Sequence, residues 1–184
     1  MGRRHASPRA SSLDRSPHYG RTKSGQSEQS CKSKSARAIS HCLIAAGEIL
    51  KFIGDGLLAI FPLSQPSACA NLLHAVAEAR AAMVALNERN SETGRVPLNY
   101  GIGVHVGDVM YGNIGSRTRL DFTVIGPAVN MASRLETLTK QLGRTVLLSR
   151  AFADLVEGDF DLEHVGEHAV RGFNEPIELF AFNG

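Results

Sequence analysis

Residues 47–62 read GEILKFIGDGLLAIFP, and this stretch decides how the chain folds. Two apolar runs, Ile49–Ile53 and Leu57–Phe61, flank the step Gly54-Asp55-Gly56. Asp-Gly between hydrophobic runs is a strong hairpin signal, because both residues accept the positive φ of a tight turn. The predicted hairpin carries one carboxylate, Asp55, at its tip and one ammonium, Lys51, on the adjoining strand. A carboxylate on a rigid turn suits a divalent cation, and a lysine close by suits an anion or a nucleobase. The plain alternative is a solvated turn.

Outward from this hairpin, composition sets the bounds. The length of 184 residues corresponds to one domain of moderate size. No apolar run approaches the roughly 18 residues of a membrane span. No hydrophobic stretch follows the basic N-terminus, so no secretory signal is read there. Cys31, Cys42 and Cys69 form an odd set without CxxC spacing, which argues against a disulfide framework or zinc site. The chain is expected to be cytoplasmic and soluble.

Charge divides the chain at about residue 40. Residues 1–40 hold nine Lys/Arg, two Asp/Glu and ten serines, whereas residues 41–184 hold eleven Lys/Arg and sixteen Asp/Glu. The first segment offers little beyond Leu13 and Tyr19 to bury and is expected to be a disordered, basic, Ser-rich leader. A basic tail can touch nucleic acid or anionic lipid, but no aromatic–basic interleaving supports RNA recognition. A solvated leader with no specific nucleic-acid partner is the expectation.

In the remainder, Ala36–Ala46 is expected to form a short helix before the hairpin. A long helix follows from Ser64, its expected cap, to about Asn90, with Pro66 in the first turn. Leu72, Val76, Met83 and Leu86 then face a sheet. Leu98–Val106 reads as a strand in which Gly101 and Gly103 permit close backbone approach. Gly107-Asp108 is a second hairpin candidate leading to Val109–Ile114, with a polar loop at Gly115–Leu120 and a short strand at Asp121–Ile125. Gly126-Pro127 opens a second helix over Ala128–Leu142, with Met131, Leu135, Leu138 and Leu142 buried and Asn130 and Arg134 stacked on one face. Thr145–Leu148 is a strand, Ser149 caps a short helix, and strands close the chain around Glu163–Val170 and Ile177–Phe182. The pattern predicts an α+β sandwich with helices against one face of a mostly antiparallel sheet.

Three segments, GEILKFIGDGLLAIFP (47–62), YGIGVHVGDVMYGNIGS (100–116) and RLDFTVIGPAVNMASRLE (119–136), together resemble the catalytic domain of class III adenylate/guanylate cyclases. They occur in order and at natural spacing from about residue 41 to the C-terminus. The resemblance implies a ferredoxin-like cyclase sandwich. It also implies dimerisation head to tail, as a homodimer or as a heterodimer with an intact cyclase protomer, with composite sites at the interface. The implied reaction cyclises ATP to 3′,5′-cyclic AMP and pyrophosphate with two divalent ions, Mg²⁺ or Mn²⁺, held by two aspartates.

Residue by residue, Asp55 matches the second of those aspartates. Lys51 matches the purine-reading lysine, which the opposite protomer donates. An ammonium only donates, so it suits N1 of adenine and opposes the N1–H of guanine. Thr123 falls at the second base-reading position, where its hydroxyl can accept from the adenine amino group. Asn130 resembles the ribose-orienting residue and Arg134 the arginine that stabilises the transition-state phosphate. Arg171, in Val170-Arg171-Gly172-Phe173, lies near another triphosphate-contacting cation; an ordinary surface arginine is the open alternative. Asp108 and Asp121 match no catalytic position and are read as turn residues. His164 and His168 are read as strand histidines on a solvent edge, not a metal pair.

One departure stands out. Members of the family begin with a strand of the type Phe-x-Asp-Ile-x-Gly-Phe, which carries the first metal-binding aspartate, and nothing between Met1 and Ser40 resembles it. The expectation is therefore a partial domain over 41–184 that lacks its usual first strand, leaving Leu57–Phe61 and Leu98–Val106 without a shared partner. Its activity would be weakened or lost. A non-catalytic fragment that binds nucleotide or regulates a cyclase partner is the alternative.

Overall fold

The computed structural model describes residues 47–184 except 54, 55, 117 and 118, and describes only the backbone at 51, 53, 111, 113–116 and 119–123. The expected leader and the helix over Ala36–Ala46 lie outside the described residues. The first hairpin is present: β1 (Glu48–Ile53) pairs antiparallel with β2 (Gly56–Ile60), Ile53 facing Gly56. A four-stranded sheet has the order β3 (Ile102–Val104), β6 (Val146–Ser149), β8 (Ile177–Phe182), β7 (Leu162–His168). Its β3–β6 pair is parallel and the other two pairs are antiparallel. A second hairpin joins β4 (Met110–Ser116) to β5 (Arg119–Ile125).

Helices cover both faces of the four-stranded sheet, not one as the sequence predicts. The alternation of β6 shows why. Val146 and Leu148 point to a cluster with Leu73 and Val76 of α1 (Ala68–Glu92) and Phe182 of β8. Leu147, between them, joins Met131 and Leu135 of α2 (Pro127–Leu142) with Leu179 and Ala181 of β8. Consecutive apolar residues on β6 are all buried, the mark of a strand covered on two sides. The short α3 (Arg150–Ala153) adds Phe152 to the α1 side.

Several boundaries differ from expectation for local reasons. α1 starts at Ala68 and not at Ser64, and Ser67, with φ 61°, is its boundary residue without a side-chain cap bond. The residue before a proline avoids the helical region, and Gln65 instead closes a turn onto the Pro62 carbonyl at 3.0 Å. The strand at 98–106 shrinks to Ile102–Val104. Here the Asn87 carboxamide takes both backbone groups of Leu98, accepting from its N–H at 2.7 Å and donating to its carbonyl at 3.0 Å.

Gly107-Asp108 is not a hairpin turn, since β3 pairs with β6 and the true hairpin turns between Ser116 and Arg119. Asp121 consequently lies within β5, opposite Ile114, and not in a turn. The hydroxyl of Ser149 does not cap α3; it meets Nδ1 of His105 at 2.7 Å. By length and composition alone α1 is long and apolar enough to cross a bilayer, a test that core helices also pass. Its buried Leu73, Val76 and Met83 face the protein interior.

α2 follows its expected course from Pro127 to Leu142. Its distance from the sheet is set by glycines. A Cβ on Gly103 would lie 2.2 Å from the Ala132 carbonyl oxygen and 2.5 Å from the Glu136 nitrogen, and one on Gly101 would lie 2.1 Å from Thr139 Oγ1. Helix backbone thus rests directly on strand backbone. Among the described residues, β2 pairs only with β1 and β3 only with β6.

Because the atoms in the way at Gly103 belong to the backbone, Gly103→Ala is expected to lower stability by about 1–3 kcal/mol. Urea unfolding of the two proteins measures this, and an unchanged midpoint would contradict it.

Candidate functional site

Two segments far apart in sequence meet along the N-terminal half of α2. Asn130 and Arg134 stand one turn apart on the helix, the first exposed and the second half-buried. Opposite Arg134 runs the Val170-Arg171-Gly172-Phe173 turn, closed by the Phe173 N–H donating to the Val170 carbonyl at 3.0 Å. Val170 is buried with Met131 and Leu135 of α2, so the turn is anchored to the helix that bears Arg134. Gly172 adopts φ 83°, a conformation costly for any residue with a Cβ. That Cβ would also stand 3.0 Å from both terminal nitrogens of Arg134. The Arg134 guanidinium lies over the Phe173 ring, 5.4 Å from its centroid. Arg171 projects from the same turn and is exposed.

The other expected site residues are placed by backbone or not at all. Lys51 sits in β1 opposite Leu58, and Thr123 sits in β5 opposite Gly112. β5 touches both β1 and α2, so the strands bearing Lys51 and Thr123 and the helix bearing Asn130 and Arg134 form a connected set. Asp55 lies outside the described residues. Among the described residues no group of three or more His, Cys, Asp or Glu side chains converges on a metal position. Asp108 is exposed, and its carbonyl would meet a Cβ on Gly126 at 3.0 Å, a packing contact at the entry to α2. His164 pairs with Glu178 at 2.8 Å, and His168 Nε2 is 3.4 Å from the Val165 carbonyl.

Sequence reasoning missed His105. Its half-buried ring bonds to the fully buried Ser149, and its Nε2 would lie 3.4 Å from a Cβ on Gly107, whose nearest neighbour would be Ala128 in the first turn of α2. This ring ties the end of β3 to the end of β6. Burial pushes the imidazole below its ordinary value, so the folded protein favours the neutral form. No spacing rule connects residues 105 and 149; only the adjacency of β3 and β6 does.

The family model "Adenylate and Guanylate cyclase catalytic domain" matches residues 41–184. The chain belongs to the adenylate and guanylate cyclase catalytic domain family. An adenylate cyclase of Anabaena cylindrica is 43% identical over 143 residues, covering 74% of this chain and 28% of its own length. The crystal structure of the adenylyl cyclase CyaB from P. aeruginosa superposes with a TM-score of 0.76 at 24% identity, over 86% of this chain and 83% of that one. A guanylyl cyclase crystal structure gives 0.68 at 23% identity, over 87% of each chain. The class III α+β fold is thus common to cyclases named for either base. The chain spans little more than a quarter of the Anabaena protein's length.

The lowered His105 value carries a sign. The unfolded chain takes up a proton near pH 6.5, before the folded one does, so His105 lowers stability as pH falls through that value and has little effect above about pH 7.5. Urea unfolding at pH 7.5 and 5.5 should show a loss of stability that is smaller in His105→Gln; equal losses in both proteins would refute the assignment.

Proposed function

We propose that this chain is an adenylate cyclase domain that acts on ATP as one half of a composite, dimeric site, forming 3′,5′-cyclic AMP and pyrophosphate. The observation that carries the reading is Asn130 and Arg134 on one exposed face of α2, with the Arg134 guanidinium held at the 170–173 turn. Identity of 43% to an adenylate cyclase supports the choice of adenine over guanine. So does Lys51, whose ammonium donates to adenine N1 and is mismatched to guanine. Thr123 accepts from the adenine amino group in this reading. In this reading Asn130 orients the ribose, and Arg134, with Arg171 on the turn that packs against it, offers N–H donors to the charge that grows on the phosphates. Cytoplasmic ATP is the substrate pool.

Mg²⁺ or Mn²⁺ would supply activation of the attacking hydroxyl and neutralisation of the triphosphate. Asp55 matches one of the family's two metal-binding aspartates, and no segment of the sequence between Met1 and Ser40 matches the strand that carries the other. Read this way, the sequence retains the residues for base, ribose and phosphate recognition and one of the two metal-binding aspartates. That observation favours the second reading, in which the chain alone is catalytically weak and completes the site of an intact cyclase protomer, or regulates it.

Complementation separates these readings. The purified chain is assayed with ATP and Mn²⁺ alone, and again with an intact adenylate cyclase protomer whose own lysine, asparagine and arginine equivalents have been replaced. Activity alone supports the first reading, and activity only in the mixture supports the second. In whichever case is active, Arg134→Ala is expected to lower cyclic AMP formation about 10²-fold or more. Failure of both preparations, or indifference to Lys51→Ala and Arg134→Ala, would overturn the proposal.

A further inference from the structure

Two arginines of this protein lie over phenylalanine rings, and the contrast between them is informative. Arg150 stands 4.8 Å from the Phe180 centroid, donates from Nε to Glu178 at 2.8 Å and pairs with Asp154 at 3.4 Å. Its charge is compensated on the protein's own surface. Arg134 stands 5.4 Å from the Phe173 centroid, and no carboxylate pairs with it among the described residues. Its neighbours are the Phe173 ring and Gly172, where an added Cβ would stand 3.0 Å from both of its terminal nitrogens.

An aromatic face attracts a guanidinium through its quadrupole yet leaves the N–H edge unspent. A carboxylate at the same place would neutralise the cation and occupy those donors. The turn is built to present the ring. Val170 is buried in the α2 core, Gly172 takes a backbone conformation that allows the tight reversal, and Phe173 emerges with 37% of its surface exposed.

We propose that Phe173 is a positioning residue: a stacking platform that holds the Arg134 guanidinium in place, uncompensated, with its N–H edge free for the phosphate oxygens of a nucleoside triphosphate. This rests on the reading of Arg134 as a phosphate-binding residue and adds a determinant from a separate segment of the chain. An aliphatic side chain of similar size preserves the fold but removes the quadrupole. An aromatic replacement preserves the platform.

Two readouts on the full chain test it. The first is the Arg134 Nε–H NMR signal, identified by its loss in Arg134→Ala. Ring current should displace it in the parent protein and in Phe173→Trp, and it should return toward the free-arginine position in Phe173→Leu. The second is Mg·ATP affinity by calorimetry, expected to fall about two- to five-fold in Phe173→Leu and to recover in Phe173→Trp, with the urea midpoint unchanged. Unchanged affinity in Phe173→Leu beside weakened binding in Arg134→Ala overturns this inference alone. A Phe173→Leu loss that Phe173→Trp does not recover, or one that follows a lowered urea midpoint, marks a structural role and also overturns it. No Mg·ATP binding either by the parent chain or by its mixture with the intact protomer of the complementation assay, or full affinity in Arg134→Ala in whichever preparation binds, overturns the triphosphate reading and this inference with it.

Discussion

The approach of α2 to β3 is the contact on which the site depends. A helix normally keeps its distance from a sheet through the side chains between them. At Gly101 and Gly103 there are none, and the Ala132 carbonyl and Glu136 nitrogen come within reach of where a Cβ would be. Since helix and strand meet backbone to backbone, α2 has little freedom to slide or roll. Its position is locked further by Met131 and Leu135, buried against Leu147, Leu179 and Ala181. The functional face inherits that rigidity: Asn130 and Arg134 lie along a helix whose other side is pinned.

The same apolar cluster disciplines the second half of the site. Val170 belongs to it, so the turn that follows is docked against the helix and Phe173 is delivered to Arg134. A buried foot with an exposed, polar tip holds side chains still while leaving them open to solvent. His105 contributes a third brace by linking the end of β3 to Ser149. The charge pattern is equally selective. Arg144 is paired with Glu163 and Arg150 with Glu178, whereas Arg134 rests on an aromatic face.

The two hairpins stand in a different relation to the fold. Among the described residues each pairs only with itself, and β5 links β1 to α2. An isolated two-stranded hairpin is marginally stable in water. The strands carrying Lys51 and Thr123 therefore owe their placement to packing on their neighbours more than to their own hydrogen bonds. Elements of this kind open at lower free energy than a doubly covered sheet. Under the proposed function, base recognition is mounted on the two hairpins and phosphate recognition on the doubly covered sheet and its helix.

Local signals determined much of this without any coordinates. Asp-Gly between apolar runs is enough for the β1–β2 hairpin, and Gly126-Pro127 followed by Met131, Leu135, Leu138 and Leu142 is enough for α2, because turn chemistry and helical period act over a few residues. The one-turn stacking of Asn130 and Arg134 follows from the same period, and the ordered motifs were sufficient to recognise the cyclase family. Tertiary structure alone decided that helices lie on both faces of the sheet, since a covered strand such as Val146–Ser149 carries no period to read. It alone decided that the hairpin turns after Ser116 and not at Gly107-Asp108, because strand pairing is a competition between distant segments. It alone brought Phe173 to Arg134 and Ser149 to His105. Those partners are separated by 39 and 44 residues, and the force that unites them is burial of a shared core, which has no local signature in the chain.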